Sequence, residues 1–183
     1  KHRKKNTLKN KEHALPYLNM KKLERENQNA IVSMAQDATT GRVNKGQLFR
    51  ALNKSLDNAL SPYLVKGTPE NYREFIDKSP KIKYAMECIR SVKKWHKERN
   101  EPCSGQVIYM NRGKAFFGYI REYLEKEIGF KTGVKYGRYE FNEVEIISSD
   151  VSEKRKERIK EAFLENVGKV IIGTSTIREG IDL

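Results

Sequence analysis

Cysteine and histidine are scarce in this chain, and it has no long apolar run. The 183 residues include two cysteines and three histidines. Cys88 and Cys103 fall in different predicted elements without metal-ligand spacing, so we expect free thiols in a reducing, cytoplasmic compartment. No apolar run approaches the ~20 residues that a helix needs to cross a bilayer, and none follows the basic start as in a secretory signal. We therefore expect no membrane partner.

The usual sequence signatures of nucleotide hydrolysis are also missing. The chain has no Gly-x-x-x-x-Gly-Lys-Ser/Thr loop and no acidic pair after a strand that could hold Mg²⁺. No Gly-x-Gly-x-x-Gly follows a predicted strand either. The three histidines, His2, His13 and His96, lie in basic or helical surroundings, which argues against a histidine-based nucleophile or metal site. We expect this chain to hydrolyse nothing by itself.

Positive charge is what the chain has in excess, with 37 Lys and Arg against 24 Asp and Glu. Nine of these cations lie between Lys1 and Arg25, against only Glu12 and Glu24. A basic field of this kind attracts polyanions through counterion release. For the first ten residues a solvated tail is an equally good interpretation.

The first 78 residues are predicted to form a helical, basic segment. Apolar residues at helical spacing predict helices over residues 14–38 and 48–64. Thr68 followed by Pro69 predicts a further helix start, because Thr caps helices and Pro fits the first turn. Ser79-Pro80 opens the next helix in the same way, with an apolar face from Ile82 to Trp95.

From residue 79 onward the pattern is that of alternating helices and strands. Short apolar runs at 106–110, 144–148 and 169–173 predict buried strands, with helices over 112–128 and 152–166 between them. This alternation predicts an α/β fold with a parallel sheet. The predicted sheet core is Val107, Ile108, Ile146, Ile147, Val170, Ile171 and Ile172, covered by Ile89, Trp95, Phe116 and Ile120.

One segment between the predicted strands allows two interpretations. Residues 129–142 interleave three glycines, three basic residues and four aromatics. Such a segment can contact nucleic acid, because aromatics stack on bases while cations hold phosphates. It can also be an inserted hairpin whose aromatics pack on the domain, and we favour the hairpin.

Polar residues follow all three predicted strands. They are Asn111-Arg-Gly-Lys114, Ser148-Ser-Asp150 and Gly173-Thr-Ser175. In open α/β sheets, ligands bind beyond the carboxyl ends of the strands, where backbone donors and helix N-termini converge. The sequence therefore predicts an edge that faces a phosphate or a nucleotide.

The last fifteen residues resemble motif V of superfamily 2 helicases. In KVIIGTSTIREGIDL, residues 169–183, a buried strand ends in Thr and Ser and continues to Gly-hydrophobic-Asp. The REGID portion, residues 178–182, resembles the version in the helicase-like subunit of bacterial nucleotide-excision repair. The preceding helix over 152–166 looks like the Arg- and Phe-bearing helix that this family places before motif V.

The resemblance extends over residues 79–183. Residues 106–124 resemble the motif IV strand and helix, and residues 79–95 resemble the helix that precedes the second lobe in Swi/Snf-type translocases. Glu179 before Gly180 departs from the Gly-rich Swi/Snf pattern and indicates a more distant branch. The first lobe and motif VI with its arginine finger have no counterpart in this sequence, so we expect a piece of a longer protein, a partial RecA-like lobe.

The resemblance implies two sets of site residues. The residues implied for the nucleic-acid backbone are Asn111, Arg112, Ser149, Thr174, Ser175 and Thr176. Gly180 would let the backbone approach the nucleotide, and Asp182 would accept from ribose hydroxyls or couple the lobes. ATP and Mg²⁺ would be held mainly by the first lobe, and the polymer would be DNA, with RNA not excluded.

Other interpretations stay open. The Gly180–Asp182 triplet alone can be an ordinary turn, and Arg155 and Arg158 on a charged helix are more often solvated than functional. The chain can instead be a non-catalytic nucleic-acid-binding module that uses its basic start and the 129–142 segment. It can also be the motor segment of a restriction or methyltransferase polypeptide of a mobile element.

Overall fold

The fold opens with two antiparallel helices. The computed structural model describes residues 22–40, 45–175 and 177. Helix α1 spans Lys22–Thr39, and helix α2 spans Lys45–Leu60. The helices predicted over 14–38 and 48–64 are therefore confirmed over most of their length, except that residues 14–21 lie outside the described part.

Buried amide groups join the two helices. Asn27 Nδ2 donates to Asn58 Oδ1 at 3.1 Å, and Asn58 Nδ2 donates to the carbonyl oxygen of Glu24 at 2.8 Å. Ile31 and Ala51 are buried further along the pair. The Ser55 hydroxyl donates to Gln28 Oε1 at 3.5 Å, so a later residue of α1 meets an earlier residue of α2 than in the Glu24–Asn58 contact, and the two helices form an antiparallel hairpin.

The apolar stripe of α2 does not face the core. Phe49, Leu52 and Leu56 are 66 %, 54 % and 59 % exposed, whereas Ala51 and Asn58 are buried. The stripe therefore lies on a different side of the helix from the residues that meet α1. Leu60, the last residue of α2, packs against the main core.

Two further helices lead into the sheet. A 3₁₀ turn at Pro62–Leu64 precedes helix α3, Tyr72–Lys78, and helix α4 spans Pro80–Glu98. The start at Ser79-Pro80 is confirmed. The predicted cap at Thr68 is wrong, because the Asn71 side chain accepts from the backbone N–H of Glu74 at 3.0 Å and caps α3 instead.

Three parallel strands form the sheet, which confirms the α/β class. Strand β1 is Gln106–Tyr109, β4 is Val144–Ile147 and β5 is Val170–Gly173. Their order across the sheet is β1-β5-β4. Helix α5, Phe117–Lys126, follows β1, and helix α6, Glu153–Leu164, connects β4 to β5. The result is a small parallel sheet with helices.

The segment at 129–142 is a hairpin. Strands β2, Val134–Tyr136, and β3, Tyr139–Phe141, pair antiparallel around a two-residue loop. Gly137, the first residue of that loop, has a φ of +60°, which glycine adopts without a steric penalty.

The core lies on both faces of the sheet. On one face the buried side chains of Phe75, Met86, Ile120 and Val170 join α3, α4, α5 and β5 in one cluster. The other face carries a smaller cluster of Phe141, Ile147, Ile159, Ala162, Ile171 and Ile177, which packs α6 and the hairpin against the sheet.

Two predicted core residues are exposed. Val107 is 41 % exposed, because β1 pairs only with β5 in the described part of the chain and α6 covers the other strands. Trp95 is also largely exposed near the end of α4. The predicted division at residue 78 stays a prediction, although Phe75 and Ile76 on its N-terminal side share the core with α4 and α5.

The two cysteines, Cys88 and Cys103, are free thiols, as expected. None of the helices that the structure describes is long and apolar enough to span a membrane.

Candidate nucleic-acid interface at the strand ends

The carboxyl ends of the three parallel strands lie side by side. Tyr109 and Ile147 are both in register with Gly173, the last residue of the central strand. The backbone N–H of Met110 donates to the carbonyl oxygen of Gly173 at 2.9 Å and extends this alignment beyond β1. The loops that begin at residues 111, 148 and 174 therefore share one edge of the sheet, which we call the strand-end edge.

The loop after β1 turns sharply into α5. Gly113 adopts the left-handed region with a φ of +82° and precedes a 3₁₀ turn at Lys114–Phe116. The backbone N–H of Phe116 closes that turn by donating to the carbonyl oxygen of Gly113 at 2.8 Å. A residue with a Cβ atom would be strained in this conformation. Because glycine allows the sharp turn, the next residue, Lys114, lies close to the end of the strand.

Lys114 joins the first loop to the second. Its Nζ lies 2.6 Å from Asp150 Oδ2 and 3.3 Å from Ser149 Oγ. The nearby ammonium group holds the pKa of the Asp150 carboxyl below its usual value, first by a hydrogen bond and then by charge attraction. The implied site residue Ser149 therefore lies in a small polar cluster with Lys114 and Asp150.

The third loop requires a glycine where it leaves β5. A Cβ atom at Gly173 would lie 2.5 Å from the carbonyl oxygen of Ile147 and 2.5 Å from Cδ1 of Ile177. Thr174 is half-buried and Ser175 is exposed directly after this contact. The backbone N–H of Ile177 donates to the carbonyl oxygen of Thr174 at 2.9 Å, and the buried Ile177 side chain anchors the loop.

The structure places four of the eight implied site residues together and ties a fifth elsewhere. Asn111, Ser149, Thr174 and Ser175 lie at the strand-end edge. Thr176, Gly180 and Asp182 lie outside the described residues.

Arg112, the fifth, begins at the strand-end edge but bonds to the helical hairpin. Its Nη1 lies 2.8 Å from Asp57 Oδ1, and its Nη2 donates to Asn53 Oδ1 at 2.8 Å. Both acceptors belong to α2. The side chain implied for nucleic acid is therefore paired with a carboxylate from a part of the chain 55 residues away.

Lys114 and Asp150 were not among the implied site residues. Their signal was present in the sequence, because both follow predicted strands in the same polar stretches as Arg112 and Ser149. Their pairing needed the order of the strands, which no local pattern contains.

No protein-family model matches this chain. No curated protein matches it significantly. The helicase resemblance therefore stays a hypothesis, and the geometry of the strand-end edge is the independent observation beside it.

The hairpin aromatics pack on the domain. Phe130 and Phe141 are buried, and Tyr136 packs against the smaller core cluster. The guanidinium of Arg155 lies 4.6 Å from the Phe141 ring centroid, and that of Arg158 lies 4.0 Å from the Tyr139 ring centroid. The segment is therefore a hairpin, with Phe130, Phe141 and Tyr136 packed on the domain and Tyr139, 37 % exposed, beneath the guanidinium of Arg158.

Arg155 and Arg158 hold α6 to its neighbours. Arg155 Nη2 lies 2.9 Å from Oε1 of Glu145, which is buried on β4 and also accepts from the backbone N–H of Asn142 at 2.9 Å. Each of these arginines is half-buried and makes a specific contact with the strands or the β2–β3 hairpin, so its described role is structural.

The strand-end edge fits a phosphate better than a metal ion. Its described groups are the hydroxyls of Ser149, Thr174 and Ser175 together with the ammonium group of Lys114, and Asp150 is already bonded to that ammonium. Hydroxyl and ammonium groups position phosphates without reading a base sequence. Mg²⁺ prefers several oxygen ligands, including carboxylates, which this set does not supply.

Proposed function

We propose that residues 79–183 form part of the second RecA-like lobe of an ATP-dependent superfamily 2 helicase or DNA translocase. The observation that carries this proposal is the meeting of the motif IV-like and motif V-like strand ends at one edge, with the 148–150 loop beside them. The resemblance requires these segments to share one surface, although they are separated by some sixty residues in the chain.

The groups at this edge suit a motor. Hydroxyls and a lysine hold the sugar-phosphate backbone regardless of base sequence, as a protein that moves along DNA requires. In such motors ATP binds between two lobes, and closure of the lobes shifts one phosphate grip relative to the other. The strand-end edge would supply one of these grips.

This chain would supply only part of the nucleotide site. Because the sequence has no Gly-rich phosphate loop and no acidic pair after a strand, we assign ATP and Mg²⁺ mainly to a first lobe. Gly180 and Asp182 are the residues of this chain that we propose to approach the nucleotide.

A non-catalytic nucleic-acid-binding module is the rival proposal. The nine cations between Lys1 and Arg25 favour it, because such a segment binds polyanions without ATP. The packed aromatics of the 129–142 hairpin weaken it, because they are the second surface that it would use.

A matched pair of variants tests the strand-end edge. Thr174→Val removes one hydroxyl there, and we expect it to weaken binding to a ~20-base-pair duplex about threefold to tenfold, as the loss of one phosphate hydrogen bond does. Fluorescence anisotropy at two salt concentrations measures the change.

The control is Thr132→Val, the same substitution at the opposite edge. The carbonyl oxygen of the neighbouring Lys131 accepts from the backbone N–H of Glu143, next to the amino end of β4, at 2.9 Å. Equal affinities of the two variants would contradict the proposed role of the strand-end edge.

A further inference from the structure

Among the described residues, two cations of the strand-end edge are paired with carboxylates. Lys114 is paired with Asp150, which belongs to the same edge. Arg112 is paired with Asp57, which belongs to α2 and reaches the edge from the helical hairpin. The second pair therefore connects the proposed phosphate site to a separate part of the molecule.

Asp57 and Asn53 present Arg112 with two acceptors at once. They lie four residues apart on α2, so their side chains point from neighbouring turns of one helix face. Each accepts from a different guanidinium nitrogen of Arg112 at 2.8 Å. The flat guanidinium group matches paired oxygen acceptors, and it binds carboxylates and phosphates in the same two-point manner.

The contact is open to competition. The side chains of Arg112 and Asp57 are 37 % and 25 % exposed, so water and ions reach the pair. Ion pairs with this degree of exposure change an equilibrium constant by no more than about fivefold. A polyanion that also contacts neighbouring groups of the edge can therefore displace the carboxylate.

The helical hairpin of α1 and α2 is anchored in the core at the end where α2 leads into the rest of the chain. Leu60 packs in the main core, and the next residue, Ser61, forms a buried hydrogen bond of 2.7 Å with Ser79. Towards the other end of α2, Leu52 and Phe49 are exposed. The bonds to Arg112 therefore lie between the anchored end of α2 and its exposed end.

We propose that Asp57 and Asn53 form a latch that occupies Arg112 in place of a nucleic-acid phosphodiester. The helical hairpin of α1 and α2 then restrains binding at the strand-end edge until the polymer displaces the two side chains from Arg112. This inference rests on the proposed function of that edge. It assigns to α2 a regulatory role that the resemblance does not imply.

The test compares two substitutions that remove the same charge. Asp57→Asn removes the charge of the latch, whereas Asp77→Asn removes the charge of a carboxylate that is paired with Lys83 on α4. Binding of the full chain to a duplex of ~20 base pairs is measured by fluorescence anisotropy from low to moderate salt. Thermal unfolding followed by circular dichroism verifies that each variant is folded.

We expect Asp57→Asn to bind DNA about fivefold more tightly than Asp77→Asn, because the ion pair no longer competes. The plot of log affinity against log salt should steepen by about one unit, as one more phosphate contact requires. The gain should vanish in the double variant Asp57→Asn/Arg112→Gln, and Asn53→Ala should give a smaller gain of the same sign.

Two results overturn the latch. One is an affinity of Asp57→Asn equal to or weaker than that of Asp77→Asn, and the other is a gain that persists without Arg112. The motor proposal fails separately, when DNA does not stimulate ATP turnover. A tighter Asp57→Asn variant in a protein without such turnover would support the latch on a binding surface alone.

Discussion

At the scale of single residues, Gly173 is the position where a small change should disturb the strand-end edge most. An alanine Cβ would lie 2.5 Å from the backbone oxygen of Ile147, which cannot move without shifting β4. We expect Gly173→Ala to lower the free energy of unfolding by about 1–3 kcal/mol, as overpacking in a core does. Chemical denaturation followed by circular dichroism measures the difference.

Gly118 offers the matched control. A Cβ there would meet no atom within 4 Å, and the residue is exposed in α5. Gly118→Ala should raise the free energy of unfolding by up to about 0.5–1 kcal/mol, because alanine favours the helix. A Gly173→Ala variant as stable as the unchanged protein would show that the contact with Ile147 is not as close as described.

Sequence patterns predicted the strand-end edge better than the contacts made there. Polar residues follow all three strands and a parallel sheet brings strand ends together, so the edge was predictable, whereas the roles of Asn111, Ser149, Thr174 and Ser175 are implied by the resemblance alone. The partner of Arg112 could not be found in this way. Asp57 lies 55 residues earlier in a different element, and only the three-dimensional packing of α2 brings it close.

At the scale of elements, Glu74 connects α3 to its surroundings. Its carboxylate accepts from the backbone N–H of Glu70 at 2.7 Å and from Lys78 Nζ at 3.0 Å. These bonds, the backbone bond first, together with a bond from the Tyr63 hydroxyl, lower the pKa of Glu74 to about 2. The charged form is therefore favoured in the folded chain.

This depressed pKa predicts a pH dependence. The stabilisation is fully present above the ordinary glutamate pKa of about 4.5, and it is lost as the pH falls towards about 2. Glu74→Gln should lower the melting temperature at neutral pH and flatten its decline between these two values. Glu157→Gln, at an exposed position of α6, is the control, and two identical melting profiles would contradict the assignment.

Elements were predictable where local chemistry decided them. Ser79-Pro80 starts α4, a helix follows residue 152, and the glycine-rich segment forms a hairpin, as their sequences indicated. The exposure of the apolar residues of α2 was not predictable. Their spacing indicates a helix, but it does not indicate which other element, if any, covers them. The exposure of Val107 likewise depends on the position of β1 at an edge of the sheet.

At the scale of the whole molecule, the fold brings three hydroxyl groups and two cations to one edge and places a helical hairpin beside it. The three strand ends supply Ser149, Thr174 and Ser175, and α2 supplies the carboxylate that pairs with Arg112. The formal net charge of +13 draws polyanions to the molecule as a whole. This arrangement is the basis of the proposed phosphate contact and of the proposed latch beside it.

The most direct measurement is ATP hydrolysis by a protein that joins this chain to the first lobe that the proposal requires, with and without duplex DNA. Asp182→Ala is compared with Asp37→Ala, which removes an exposed carboxylate of α1. We predict that DNA stimulates turnover, that Asp182→Ala loses most of it, and that Asp37→Ala keeps it. DNA binding without turnover, or turnover that Asp182→Ala leaves unchanged, would contradict the assignment to a helicase lobe.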